Sequence, residues 1–218
     1  MSSINSSTQK FQNPNSLPAK ATLLLVSTLT VMAGATISPA LPAMRQYFTS
    51  EPNADYWVRL VLTVPALFIA LGAPFAGTII DRFGRKTLLS IAVFIYGLAG
   101  SSGFVLNSLG IILLGRVLLG LSVAGIMTTA TTLIADYYTG ATRTLFLGLQ
   151  AGFMGLGGVI FLSLGGFLAD INWRMPFLIY LIAWLILPLI VIFLPEPNRA
   201  TSNTSTQLLK IMGSFYLD

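Results

Sequence analysis

The sequence predicts an all-α integral membrane protein, a bundle of six transmembrane helices. Three observations predict it: six long apolar stretches, a scarcity of charge, and a one-sided placing of the charge there is. Hydrophobic residues make up 55% of the chain and charged ones 9%, with a mean hydropathy of +0.81, whereas a soluble domain carries about 25% charge. Such a composition cannot cover itself in water, and the bilayer is the solvent that suits it. The formal net charge of +5 does not point to nucleic acid, because the twelve Lys and Arg are scattered between apolar runs and form neither a stripe nor a basic arm. There is no Cys and no His, which excludes disulfide frameworks, thiol chemistry, zinc sites and imidazole relays. No metal, no cofactor and no enzymatic activity is expected.

Residues 1–19, rich in Ser, Asn and Gln, lack the apolar core and cleavage site of a secretory signal and read as a disordered cytoplasmic tail. The spans then run over 20–43, 57–80, 87–106, 109–135, 144–168 and 175–195, each long enough at 1.5 Å per residue to cross about 30 Å of hydrocarbon. The first ends in SPALP, where Pro39 and Pro42 terminate a helix at little cost. Gly84 turns the chain after the second, Asn107 with Ser108 after the third, Gly140 after the fourth and Asn172 after the fifth. The sixth is entered through NWRMPFLIY, where Trp173 and Arg174 suit an interfacial belt, and it stops at Pro195 and Pro197. Residues 196–218 read as a polar cytoplasmic linker followed by the start of a truncated apolar run.

The basic residues set the orientation. With the amino terminus inside, Lys10, Lys20, Arg82, Arg85, Lys86, Arg143, Arg199 and Lys210 are cytoplasmic, and only Arg45, Arg59 and Arg174 are outside. Both termini are therefore expected in the cytoplasm of a multi-pass cell-membrane protein. Gly77, Asp81 and Arg85 around the end of the second span recur as Gly166, Asp170 and Arg174 around the end of the fifth. The two copies face opposite sides of the membrane, as a 3+3 inverted repeat requires.

Asp81 lies at the carboxyl end of a helix, where the macrodipole disfavours an acid by about 0.3–1 kcal/mol. It is expected to find a partner in Arg82, Arg85, a base such as Arg143, or the amino end of another helix. Gly84 suits the left-handed conformation that stops a helix, and Arg85 with Lys86 sits where positive charge is favoured. The run GTIIDRFGRKTLL over residues 77–89 resembles the loop signature of the major facilitator superfamily, Gly-x-Leu-Ala-Asp-Arg-x-Gly-Arg-Lys-x-x-Leu, with Ile79 and Ile80 as mild departures. Arg116-x-x-x-Gly120 resembles that family's fourth-helix motif, in which the arginine is associated with substrate or proton coupling. By its chemistry alone, a charge at this depth costs about 2.5–3.5 kcal/mol and faces a polar cavity or a partner, or else snorkels to the outer interface. Gly148, Gly157, Gly165 and Gly166 fall at the spacing of the glycine-rich fifth helix of antiporter branches, although Phe161 and Leu162 stand where that motif has Gly and Pro. As residues, these glycines read as a helix-packing surface.

The resemblance implies a secondary, non-ATP carrier for a drug or metabolite, working outward by alternating access, of which this chain is the amino-terminal half. Gly77, Asp81, Arg82, Gly84, Arg85 and Lys86 would form its cytoplasmic gating loop. Arg116, Gly120, Gln150, Met32 and Met127 would serve coupling or line the cavity, Met being suited to varied apolar ligands and Gln150 able to bond either substrate or a neighbouring helix. No acid is expected deep in a span, since Asp81, Asp136 and Asp170 fall at helix ends, and no Gly-x-x-x-x-Gly-Lys-Ser/Thr loop is present for an ATP motor. The expected partners are the lipid bilayer, a small-molecule substrate, and a second six-helix half or a second copy of this chain. An inactive half acting only as an assembly partner is the reading from another class.

Overall fold

The computed structural model describes residues 13–197. Six helices in it are long and apolar enough to cross a membrane: Leu17–Tyr47, Ala54–Phe83, Arg85–Phe104, Leu109–Tyr137, Gly140–Ile171 and Met175–Phe193, numbered here as the first to sixth spans. No strand occurs among the described residues. Every expected span is present, and most run past their expected bounds. Hydropathy marks only the apolar stretch, while helical hydrogen bonding continues until a cap or a glycine stops it.

The first helix shows this at its start. Ser16 is its cap, the hydroxyl accepting from the Ala19 N–H at 3.3 Å, with Pro18 in the first turn. Residues 17–19 are therefore helix rather than tail, because a Ser-x-Pro entry satisfies the orphan donors. The parts of the expected tail and linker at 1–12 and 198–218 lie outside the described residues. Pro39 and Pro42 do not end the span at residue 43. The helix Leu17–Ala35 breaks, a 3-10 turn covers Ser38–Ala40, and helix resumes over Leu41–Tyr47, with a proline in the first turn of each new piece. A proline there restarts a helix, since its missing N–H is one that has no partner anyway.

Gly84 between the second and third spans has φ 96° and ψ 159°, an extended mirror-image conformation open to glycine alone rather than the left-handed helical one expected. The sixth span begins as a seven-residue 3-10 helix, Met175–Leu181, before the α-helix Ile182–Phe193. Alternate crossing puts the Gly84 turn, the Gly140 connection and both ends of the described chain at one end of the bundle, called here the Gly84 end. The connections around residues 50, 107 and 172 lie at the other, the Asn107 end.

The second span packs along the fourth and the first along the fifth, while the first and fourth meet centrally. The third packs on the fourth and the sixth on the first. Exchanging the two triplets of spans maps each of these pairs onto another, the pattern expected of the inverted repeat. The third and sixth spans interlock. A Cβ on Gly97, Gly100 or Gly103 would overlap Trp184, Tyr180 or Phe177 respectively, so a glycine groove one residue in three receives three aromatic rings.

Candidate functional site

The charged residues of the 77–89 loop sit at the Gly84 end. The second helix closes with the Gly84 N–H donating to the Ile80 carbonyl at 2.9 Å, and the third starts one residue later with its first N–H groups unfilled. Glu196, arriving from beyond the sixth span, fills them: its carboxylate accepts from the Arg85 N–H at 2.6 Å and the Lys86 N–H at 2.9 Å. Lys86 Nζ donates to the Val191 carbonyl at 2.7 Å. Arg85 Nε donates to Asp136 Oδ2 at 3.1 Å, and the Tyr137 hydroxyl donates to the Pro195 carbonyl. The start of the third span is thereby clasped to the ends of the fourth and sixth. The adjoining Tyr138 hydroxyl donates to the Pro14 carbonyl at 2.6 Å, and burial pushes its phenol up.

The expected partner of Asp81 is absent. Its side chain is exposed and makes no hydrogen bond or ion pair among the described residues, while Arg85 is committed to Asp136. Helix phase explains this, because Ile80 and Gly84 turn inward and Asp81 and Arg82 turn out. Gly77, one turn before Asp81, has nothing within 4 Å of an added Cβ. Glu196 was missed by sequence reasoning. The one signal was an acid held between Pro195 and Pro197 directly after a span.

The Asn107 end repeats the arrangement. Arg174, at the start of the sixth span as Arg85 is at the start of the third, donates to Tyr47 Oη at 3.2 Å, to Asn107 Oδ1 and to the Phe104 carbonyl. Tyr47 ends the first span as Asp136 nears the end of the fourth, and Asn107 follows the third span as Glu196 follows the sixth. Asp170, like Asp81, is exposed and unpaired among the described residues. The sequence echo thus corresponds to two clasps, one at each end.

The spans divide sharply in burial. Of the most apolar 18 residues, 61% and 67% are buried in the first and fourth spans, but only 22% and 11% in the second and fifth. Leu67, Leu71 and Phe75 on the second and Leu149, Leu156 and Phe167 on the fifth are all exposed. Met127 of the fourth span is also exposed, whereas Met32 is fully buried in the core, so only Met127 is placed to touch a ligand. Gln150 is buried, and its Nε2 donates to Ser27 Oγ at 2.9 Å while the Ser27 hydroxyl donates to the Leu23 carbonyl at 2.8 Å. It bonds a neighbouring helix. Gln150→Leu should lower stability by about 0.6–1.5 kcal/mol, measured as a drop in thermal midpoint in detergent.

Arg116 neither snorkels nor lines an open cavity. It is 1% exposed, with Nη1 donating to Tyr180 Oη at 3.0 Å and the guanidinium 4.7 Å from the Phe177 ring centroid and 5.0 Å from that of Tyr180. The rings substitute for a carboxylate through their negative faces, and Nη2 has no hydrogen-bond partner among the described residues. Gly120 is a crossing point and not a cavity position: an added Cβ would lie 2.6 Å from the Pro65 carbonyl oxygen. Among the fifth-span glycines, Gly165 abuts the Thr36 carbonyl and Gly157 the Thr28 Cβ, as packing requires. Gly166 makes only ordinary contact with Pro39, and Gly148 faces open space, because a helix offers one side to a single neighbour.

Comparison with known proteins follows the same architecture. The family described as Major Facilitator Superfamily matches residues 23–214. The chain is 27% identical over 213 residues to the tetracycline resistance protein, class H, of Pasteurella multocida, covering 89% of this chain and 52% of that one. It is 28% identical over 185 residues to multidrug resistance protein 1 of Bacillus subtilis, covering 84% and 46%. The crystal structure of a D-xylose-proton symporter superposes with a TM-score of 0.76 at 18% identity, over 92% of this chain and 53% of that one, a likeness of fold alone. The chain spans about half the length of the curated relatives it matches.

Proposed function

Since the chain belongs to the major facilitator superfamily and is a multi-pass membrane protein, we propose that it forms the amino-terminal half of a secondary carrier that exports a drug or metabolite by alternating access. The observation that carries this reading is the pair of unburied apolar faces on the second and fifth spans. These spans pack along the fourth and the first respectively, and their free faces suit a second six-helix bundle packed across a central pathway. The basic residues of the Gly84 end support a cytoplasmic position for both termini. Met127 and the free face of the fifth span around Gly148 would then look into that pathway, and the resistance proteins among the relatives support a lipophilic substrate.

Reconstitution tests the reading. Purified chain alone in liposomes, with tetracycline as the probe and an imposed pH gradient, should give no flux above empty vesicles, and flux should appear when a complementary carboxyl-terminal half is co-expressed. Flux from the chain alone, together with a cross-linked dimer, would transfer the reading to a homodimer; a chain silent in both settings leaves an assembly partner.

Asp81 belongs to the gate in this reading. Because it has no partner within the described bundle, Asp81→Asn should leave membrane insertion and thermal midpoint unchanged. Transport by the assembled carrier should fall about tenfold, the loss of one charge-assisted contact with the other half. A variant that disappears from the membrane instead would assign Asp81 to folding.

A further inference from the structure

The buried core is divided in two. One cluster holds residues 19–33 of the first span with inward groups of the third, the Gly84-end part of the fourth and residues 179–194. The other holds Ile37, Ala40 and Met44 with Val58, Val61, Ile112, Leu113 and Phe177 at the Asn107 end. The division falls between Ala33 and Ile37 in the first span, between Leu113 and Leu119 in the fourth, and between Phe177 and Ile179 in the sixth. Thr36, Arg116 and the Tyr180 hydroxyl occupy that same level.

Two backbone interruptions coincide with it. The first span loses its helical ladder after Ala35, and Pro65 in the second span withholds the N–H that the Val61 carbonyl would take. The polar level is also incompletely bonded, since Thr36 Oγ1 and Arg116 Nη2 are buried with no hydrogen-bond partner among the described residues. A seam of this kind lets one apolar cluster shift against the other while each keeps its own packing, at the expense of exchanging a few hydrogen bonds.

We infer that residues 36–47 of the first span are a hinged segment and that the hydroxyl of Tyr180 is the latch that fixes the helical turn on which the segment pivots. This hydroxyl donates to the Ala33 carbonyl at 2.8 Å, in the last helical turn before the break, while accepting from Arg116. One turn earlier, the Tyr96 hydroxyl donates in the same way to the Leu29 carbonyl at 2.8 Å, so two tyrosines from different spans grip successive turns up to the hinge. The ring and the hydroxyl of Tyr180 have separate tasks: the ring is seated against Gly100 and beneath the guanidinium, and the hydroxyl sets the first span. At its far end the segment is tied to the second span by the Arg45–Asp55 ion pair. Its motion would reshape the cavity of about 490 Å³ that Leu41, Pro42, Arg45, Asp55, Val58 and Arg59 line. The hinge leans on the carrier reading only for its purpose, and its test does not use transport.

The chain has no Cys, so pairs of spin labels can be placed cleanly. Gln46 with Leu98 spans the seam, and Leu25 with Leu98 lies on one side of it; all three are exposed. In Tyr180→Phe, which keeps the ring, the minor distance population of the Gln46–Leu98 pair should grow about tenfold, the effect of one lost hydrogen bond, while the Leu25–Leu98 distribution stays as in wild type. Arg116→Met leaves the Tyr180 hydroxyl on Ala33 and should match wild type at both pairs. An unchanged Gln46–Leu98 distribution in Tyr180→Phe would overturn the inference, as would equal broadening of both pairs. Broadening in Arg116→Met as large as in Tyr180→Phe would also overturn it, by moving the latch to the guanidinium. Silence in the flux assay with the labels responding as described would remove the carrier reading and leave the hinge.

Discussion

Gly120→Val should give no folded bundle, seen as loss of monodisperse protein in detergent and of any cooperative thermal transition. The first atom of the new side chain would lie 2.6 Å from the Pro65 carbonyl oxygen, 3.0 Å from the Pro65 Cα and 2.9 Å from the Phe68 Cβ. None of these can rotate away, because they are backbone or bonded directly to it. Relief needs the second and fourth spans to separate, yet they pack along most of their length, and a Cβ added at Gly72 would likewise lie 3.0 Å from the Ala124 Cβ and 3.1 Å from the Leu121 Cδ2. The cost should exceed the ~1–3 kcal/mol typical of an overpacked core, since van der Waals packing is the main force between helices in lipid. Gly77→Val is the matching control. It lies in the most recognisable stretch of the sequence but has open space around it, so its thermal midpoint should match that of wild type. A Gly120→Val protein as stable as wild type would mean that the two spans cross elsewhere.

Arg85→Glu should abolish flux through the assembled carrier, and Asp136→Arg introduced with it should restore a measurable part. Arg85 is the hub of the clasp at the Gly84 end: its side chain is bound to Asp136 and its own N–H to Glu196. An acid there would bring three carboxylates together at a place where the first is only 30% and the basic partner 12% exposed, so screening by water is partial. The coupling between close charged residues amounts to about 0.5–3 kcal/mol, enough to open a clasp made of a few hydrogen bonds. The charge-swapped pair separates this from loss of arginine as such. Equal inactivity of the single and double variants would show that Arg85 acts through a contact other than Asp136.

How much of this could be read in advance differs from residue to residue. The glycine-rich fifth span illustrates it: spacing marks Gly148, Gly157, Gly165 and Gly166 alike, yet only Gly157 and Gly165 meet another helix closely. Arg116 is another case. Its depth in the fourth span left a polar cavity, a partner or snorkelling open, and the partners are two aromatic rings whose sequence signature is that of any apolar span. Tyr180 and Phe177 became informative only when Gly100 and Gly103 were seen to make room for them. Asp81 was expected to be paired, but helix phase turns it out to the surface and Arg85 is taken by Asp136.

The six crossings, the turns at Gly84, Asn107, Gly140 and Asn172, the run over residues 77–89 and the repeat that links it to residues 166–174 were legible in the residues alone. These depend on hydropathy, charge and backbone permissiveness, which are properties of short segments and need no knowledge of what lies opposite. Helix packing settled which glycines are contacts, that Met32 is core and Met127 is surface, that Arg116 is held between rings, and that Glu196 caps a helix begun 111 residues earlier. Those outcomes depend on which faces of which helices meet. In a bilayer every face is apolar, so the hydrophobic pattern that tells inside from outside in a water-soluble helix carries little of that information.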